Sequence, residues 1–312
     1  MLLPLVCCKG IAVKYSYAVA EHLFIVELPA GKENWIEDLV QCYAPFLVTT
    51  HDEDKALFKL SAELGDIVTP SSPYQHVASV QPTDLAFEVW RNEKGDYAII
   101  VSDEEGTSKS LVYTDASFRK ASVVISSDAA KPSVLLNNAI MLCYAFAGAY
   151  EQTLLVHASV PQIGTTAFLF QGLSGTGKST HSHLWRTHIP QVELLNDDNP
   201  VVRIAEDGKV SVWGTPWSGK TPCYRNVRCD LGGILRLQQS PENNIRRLRP
   251  VEAFASLLSS CSTMLWDKSS YNAICSTVER VVGLVPAYYL QCLPNREAAE
   301  LSHRYLCAEN NV

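Results

Sequence analysis

The chain has 312 residues, more than one small core needs and enough for about two domains, and its 47% apolar content supports full burial. A net charge of −7 excludes a general attraction to nucleic acid or to an anionic membrane surface, so an anionic ligand has to be held by a local positive site. Ten cysteines are scattered from Cys7 to Cys307 with neither a CxxC pair nor a metal-ligand spacing, which points to free thiols in a reducing cytoplasm.

In chain order, residues 1–8 are apolar but short, interrupted by Pro4 and followed by Lys9, a pattern unlike a secretory signal. Nowhere do about eighteen apolar residues run uninterrupted, so no membrane span is expected. A strand is predicted over 23–28, a helical segment near 35–43 and a further element over 56–62. Leu85, Phe87 and Val89 alternate with Asp84, Ala86 and Glu88 at the period of a half-buried strand. Strands over 96–101 and 110–113 flank a turn at 103–106, and another strand follows over 121–125. Together these predict an antiparallel β-rich α+β accessory domain over 1–130, closed by the polar break at 126–133.

The second domain, 131–312, opens with 134–150, apolar around most of its circumference and rich in Ala, Leu and Met. It is expected as a buried helix packed against the sheet that follows. Runs 154–160 and 165–170 are joined by four residues, which forces antiparallel pairing and predicts a mixed sheet. The second of these runs leads into Gly172-Leu173-Ser174-Gly175-Thr176-Gly177-Lys178-Ser179-Thr180, and a helix-compatible stretch follows.

That segment fits G-x-x-x-x-G-K-[ST], in which glycines let backbone N–H groups curl around phosphate oxygens. Lys178 would reach the β- and γ-phosphates of a nucleoside triphosphate such as ATP, and Ser179 would hold magnesium. A strand over 192–196 then leads into Asp197 and Asp198, and a magnesium ion on a triphosphate takes one or two carboxylates. His157 lies in the strand before the loop, on the face of Leu155 and Ser159; a lone strand histidine is more often a core residue. His181, His183 and His188 suit surface or capping roles, the first two diverging on a helix. The loop 214–222 carries Trp217 and Lys220 and is followed by Arg225, so it can either close over a phosphate-bearing ligand or form a structured turn with a basic rim. Helical patterning returns over 251–258 and 271–282.

The histidine before the loop, the loop itself and Leu194-Leu195-Asn196-Asp197-Asp198 resemble the catalytic domain of bacterial HPr kinase/phosphorylase, whose nucleotide-binding core phosphoenolpyruvate carboxykinase shares. The resemblance spans about 151–235 and implies a C-terminal phosphate-loop domain of mixed sheet. It also implies His157 as a phosphate-side catalytic residue, Lys178 on the phosphates, Ser179 on magnesium, Asp198 as base and Asp197 assisting the metal. The glycine-rich signature of HPr kinases is replaced by 214–220, which argues against HPr as the acceptor, and the full set of carboxykinase substrate motifs is missing. The expected activity is ATP-dependent, magnesium-dependent transfer of the γ-phosphoryl group to a hydroxyl acceptor, either a protein serine or a small metabolite. The alternative is a nucleotide-binding regulatory or assembly module without transfer. Base preference and the oligomeric state, monomer or homo-oligomer, stay open at this level.

Overall fold

The computed structural model describes residues 12–81, 85–103, 108–219 and 221–308; the expectations that fell on 1–8, Asp84, 104–106 and Lys220 lie outside them. The chain divides into one compact unit ending at Ala147 and a second from Gly148 onward, each a mixed α/β assembly built on a nine-stranded sheet.

The first unit comprises β1 (Val13–Val19), β2 (His22–Leu28), α1 (Asn34–Glu37), α2 (Val40–Tyr43), β3 (Leu47–Val48), β4 (Phe58–Gly65), β5 (Gln75–Val80), β6 (Leu85–Arg91), β7 (Tyr97–Asp103), β8 (Lys109–Thr114), β9 (Lys120–Ser126) and α3 (Pro132–Ala149). The sheet order is β3-β1-β2-β4-β9-β8-β7-β6-β5. The meander from β6 to β9 is antiparallel as expected and is extended by β5, which the sequence did not signal, but the sheet as a whole is mixed: β4 runs parallel to both β2 and β9. The long connection from β2 through α1, α2 and β3 is the crossover that a parallel neighbour requires. Phe24 and Phe58 stack across that parallel pair with ring centroids 4.9 Å apart.

Helix α3 is where the patterning predicts a helix, but its partners differ from the expected ones. Tyr144 donates to the Val19 carbonyl at 2.9 Å, Tyr43 donates to Asn137 Oδ1 at 2.8 Å, and Phe146 packs on Phe118. The helix up to Ala147 therefore belongs with the sheet before it, and the division falls at its end instead of at 130/131. It is long and apolar enough to cross a membrane, and 67% of it is buried inside the fold.

The second unit comprises β10 (Thr153–Leu155), β11 (Ala158–Ile163), β12 (Thr166–Gln171), α4 (Lys178–His188), β13 (Val192–Asp198), β14 (Val201–Ile204), β15 (Val210–Trp213), β16 (Arg228–Gln239), β17 (Asn244–Arg247), α5 (Pro250–Leu258), α6 (Lys268–Leu284), β18 (Ala287–Cys292) and α7 (Arg296–Ala308). The path is β10-β14-β15-β16-β12-β11-β13, with β18 on the far half of β16 and β17 beyond it. β11 and β12 form the expected hairpin, closed by a turn in which Gly164 has φ +56°. β12/β16 and β16/β18 are parallel.

Side-chain alternation sorts the core into two layers. Phe168 and Phe170 of β12 pack with Trp185, Leu235, Leu237 and Leu306 beneath α4 and α7. Ala167 and Leu169 pack on the other face with Ile234, Leu257, Ile274 and Val278 beneath α5 and α6.

Candidate functional site

The backbone register builds the site. Asp198 at the end of β13 pairs with Ala158, Ala158 with Gln171, and Gln171 with Arg236, so four adjacent strands present one row of residues where the Gly172–Thr180 loop begins. At about 4.8 Å per strand this row spans about 14 Å. Residues in register point to a common face, and here it is the α5 face: Gln171 donates to Ser256 Oγ at 2.7 Å. The preceding register, Asp197, Ser159, Phe170 and Leu235, points to the α4 face, where Ser159 meets Ser182 at 2.6 Å.

The two aspartates are thereby separated. Asp197 is buried, 7% exposed, and accepts from Ser159 Oγ at 2.6 Å; among the described residues no cation pairs with it. Asp198 is half-buried, and its Oδ1 lies 3.3 Å from His157 Nδ1. Burial pushes the Asp198 carboxyl above its ordinary range, and the neighbouring Asp197 charge adds to this, while His157 and Lys178 oppose it. Burial and then Lys178 push the His157 imidazole down, against Asp198. The pair therefore favours a neutral imidazole beside a carboxylate of raised basicity.

His157 is not in a continuous strand as expected. The chain breaks between β10 and β11: Val156 N–H donates to Pro200 O, and His157 N–H donates to Ser260 O at 2.7 Å. This break releases the ring from the core and leaves it exposed.

In the loop, Gly177 takes φ +96° immediately before α4, a conformation that side chains rarely tolerate. Gly172 has a different need, since a Cβ there would stand 2.5 Å from Thr176 Oγ1 and 3.1 Å from Leu237 O. The first N–H groups of α4 have no partner inside the helix, which makes its start an anion-attracting end. Lys178 Nζ donates to Gly172 O at 3.1 Å and Leu173 O at 3.3 Å, folding the side chain over the loop. Burial lowers the Lys178 pKa, Asp198 opposes the shift, and Arg236 adds to it. Ser179 and Thr180 are exposed in the first turn.

Beside this turn, on the α4 face, lies a cleft of about 670 Å³ lined by Gly177, Thr180, Leu184, Leu237, Leu293 and Pro294 among others. That volume lies within the rough 300–1,000 Å³ range of small-molecule sites.

Trp217 and Arg225 are instead engaged within the fold. Trp217 is 4% exposed and offers no aromatic wall to a ligand; its carbonyl accepts from Asn199 N–H at 3.2 Å. Its loop is instead fastened to the strand end by the Asp198–Ser218 bridge. Arg225 is bound to Leu194 O at 2.9 Å and Glu193 at 2.9 Å, near the start of β13, about four residues or 13 Å from Asp198 along the strand. Lys220 lies outside the described residues. His181 is buried, 3% exposed, and so is neither a surface nor a capping residue.

Two residues of the site escaped the sequence reading. Asn196 accepts the Asp198 N–H at 3.0 Å and donates to Thr215 Oγ1 at 3.0 Å, fixing the backbone of the aspartate pair. Arg236 closes the strand-end row. Its signal was a single charge within the apolar run 234–237. Compared with protein-family models and with curated proteins, the chain matches none.

Proposed function

We propose that the second unit is an HPr kinase-like phosphate-loop enzyme that transfers the γ-phosphoryl group of ATP to a hydroxyl acceptor in the cytoplasm. The observation that carries this reading is the convergence of Lys178, at the start of α4, with the His157–Asp198 pair on the neighbouring strand ends. The nucleoside lies in the α4-side cleft against Leu184, Leu237 and Leu293, and the triphosphate extends over the free N–H groups of the loop and first turn. Lys178 exchanges its two carbonyl partners for phosphate oxygens.

A magnesium ion fits the donor set. Asp197 is a buried carboxylate whose hydrogen-bond partner among the described residues is a neutral hydroxyl, and such a charge is costly without a paired cation. Asp197 and Ser179 would hold the ion together with phosphate oxygens and water, and bound magnesium would supply charge neutralisation of the triphosphate. On the opposite face, Asp198 takes the proton of the acceptor hydroxyl as its oxygen bonds to the γ-phosphorus and the bond to the β-phosphate oxygen breaks. His157 orients that carboxylate.

The test is magnesium-dependent transfer from γ-labelled ATP into cell extract, with protein and metabolite fractions separated. Label with wild type, and none with Lys178→Ala, supports the kinase and reports its acceptor class. Nucleotide binding with no label in either fraction would replace it with a regulatory or assembly module. Phosphate release without an acceptor would replace it with a simple hydrolase.

A further inference from the structure

Arg236 is one strand away from the loop, on the side opposite the His157–Asp198 pair. It is in register with Gln171, the last residue before Gly172, and shares the α5 face with Asp198. A guanidinium carries five N–H donors in a fixed fork. Here Nη1 donates to Ser259 Oγ at 3.2 Å, and among the described residues no carboxylate pairs with Arg236. Ser259 in turn donates to Ser256 O at 2.8 Å, so the hydroxyl that steadies the guanidinium is itself fixed. A half-buried cation beside an apolar strand, with donors to spare, is a site built for an anion.

The direction of a bound nucleotide says which anion. The cleft lies on the α4 face and Arg236 on the α5 face, with the loop between them. A phosphate chain that starts from a nucleoside in the cleft and crosses the loop brings its last phosphate nearest to Arg236. Resting on the kinase reading for the loop and cleft, we infer that Arg236 is a second cation on the terminal phosphoryl group, so that the site separates nucleoside triphosphate from diphosphate. The terminal phosphoryl is then bracketed by the Asp198 carboxylate and the Arg236 fork, with Lys178 between them. The mutual repulsion of Lys178 and Arg236 in the free protein is relieved by the phosphate they share.

The experiment is calorimetric titration of the full chain with the magnesium complexes of the β,γ-imido analogue of ATP and of ADP, on wild type, Arg236→Met, Arg236→Lys and Ser259→Ala. Thermal denaturation of each variant checks that it is folded. Arg236→Met is expected to weaken the imido triphosphate about tenfold or more while leaving ADP within about twofold, with Arg236→Lys and Ser259→Ala between it and wild type. Equal losses for both nucleotides, or no loss for either, would overturn the inference. Failure of the kinase reading is seen separately: triphosphate selectivity that depends on Arg236, without label transfer by wild type, would sink catalysis and keep the inference. A wild type that binds neither nucleotide would sink both.

Discussion

At the scale of single residues, side chains that differ by one position enter different surroundings. Asp197 and Asp198 are adjacent, yet strand alternation sends one to the α4 layer and the other to the α5 face. Under the proposed mechanism Asp198 acts unprotonated, and because burial raises its carboxyl, kcat/KM should fall on the acid side through an apparent pKa above the usual carboxylate range. Asp198→Asn should remove that limb together with most of the activity, and a pH profile of kcat/KM reads both. His181 sets a different pH dependence. Ser302 donates its proton to Ala299 O and accepts from Trp185 Nε1 at 2.8 Å, so the 2.9 Å contact is donated by His181 Nε2. Burial pushes its pKa down to about 4. The unfolded chain then binds the extra proton first, so stability falls as pH drops from the ordinary histidine value of about 6.5 towards 4, by about 3 kcal/mol in all. Chemical denaturation between pH 7 and 4 should show this decline and His181→Gln should flatten it; an unchanged slope would assign the acid sensitivity to other groups.

At the scale of elements, the loop and α4 were legible in the sequence because glycine, lysine and serine stand at fixed offsets between an apolar run and a helix-compatible stretch. Four strands of the first unit's meander, β6 to β9, were legible from the alternation at 85–89 and from apolar runs set off by turn residues, whereas β5 was not read. What escaped were pairings at long sequence separation: β4 inserted in parallel between β2 and β9, and β16 laid beside β12. β16 carries Gly232-Gly233, which reads as a break, yet the strand runs through it with Leu306 packed close over Gly233. With β16 unread, Arg236 had no place in the site. The break at Val156 and His157 was hidden for the same reason, since Ser260 lies about 100 residues downstream of its partner. Conversely, Trp217 and Arg225 looked available because composition does not reveal that one is a buried plug and the other an ion-paired strand clamp. Two glycines separate loop function from stability. Gly177→Ala and Gly164→Ala both force an alanine into positive φ, at about 1–2 kcal/mol each. Both should lower the melting temperature, but only Gly177→Ala should also weaken nucleotide binding in a titration.

At the scale of the molecule, the proposed nucleotide site predicts that ligand occupancy stabilises the second unit. Magnesium ATP at 100 times its dissociation constant should stabilise the folded site by about 2.7 kcal/mol, seen as an upward shift of its melting transition that Lys178→Ala abolishes. All eight described cysteines are unbridged, so a thiol reductant should leave the melting profile unchanged. The mixed sheet also sets an order of events during synthesis. β16, which carries Arg236, bonds to β18, and β18 ends at Cys292, about 120 residues after Gln171 closes β12. At roughly 5–20 residues per second, the ribosome takes about 6 to 24 s to deliver that last neighbour. For most of this interval the nascent chain carries the glycine loop on a sheet that still lacks one or more of its strands. Chaperone capture, or cleavage by a protease acting during translation, should therefore concentrate in the window between the emergence of β12 and that of β18.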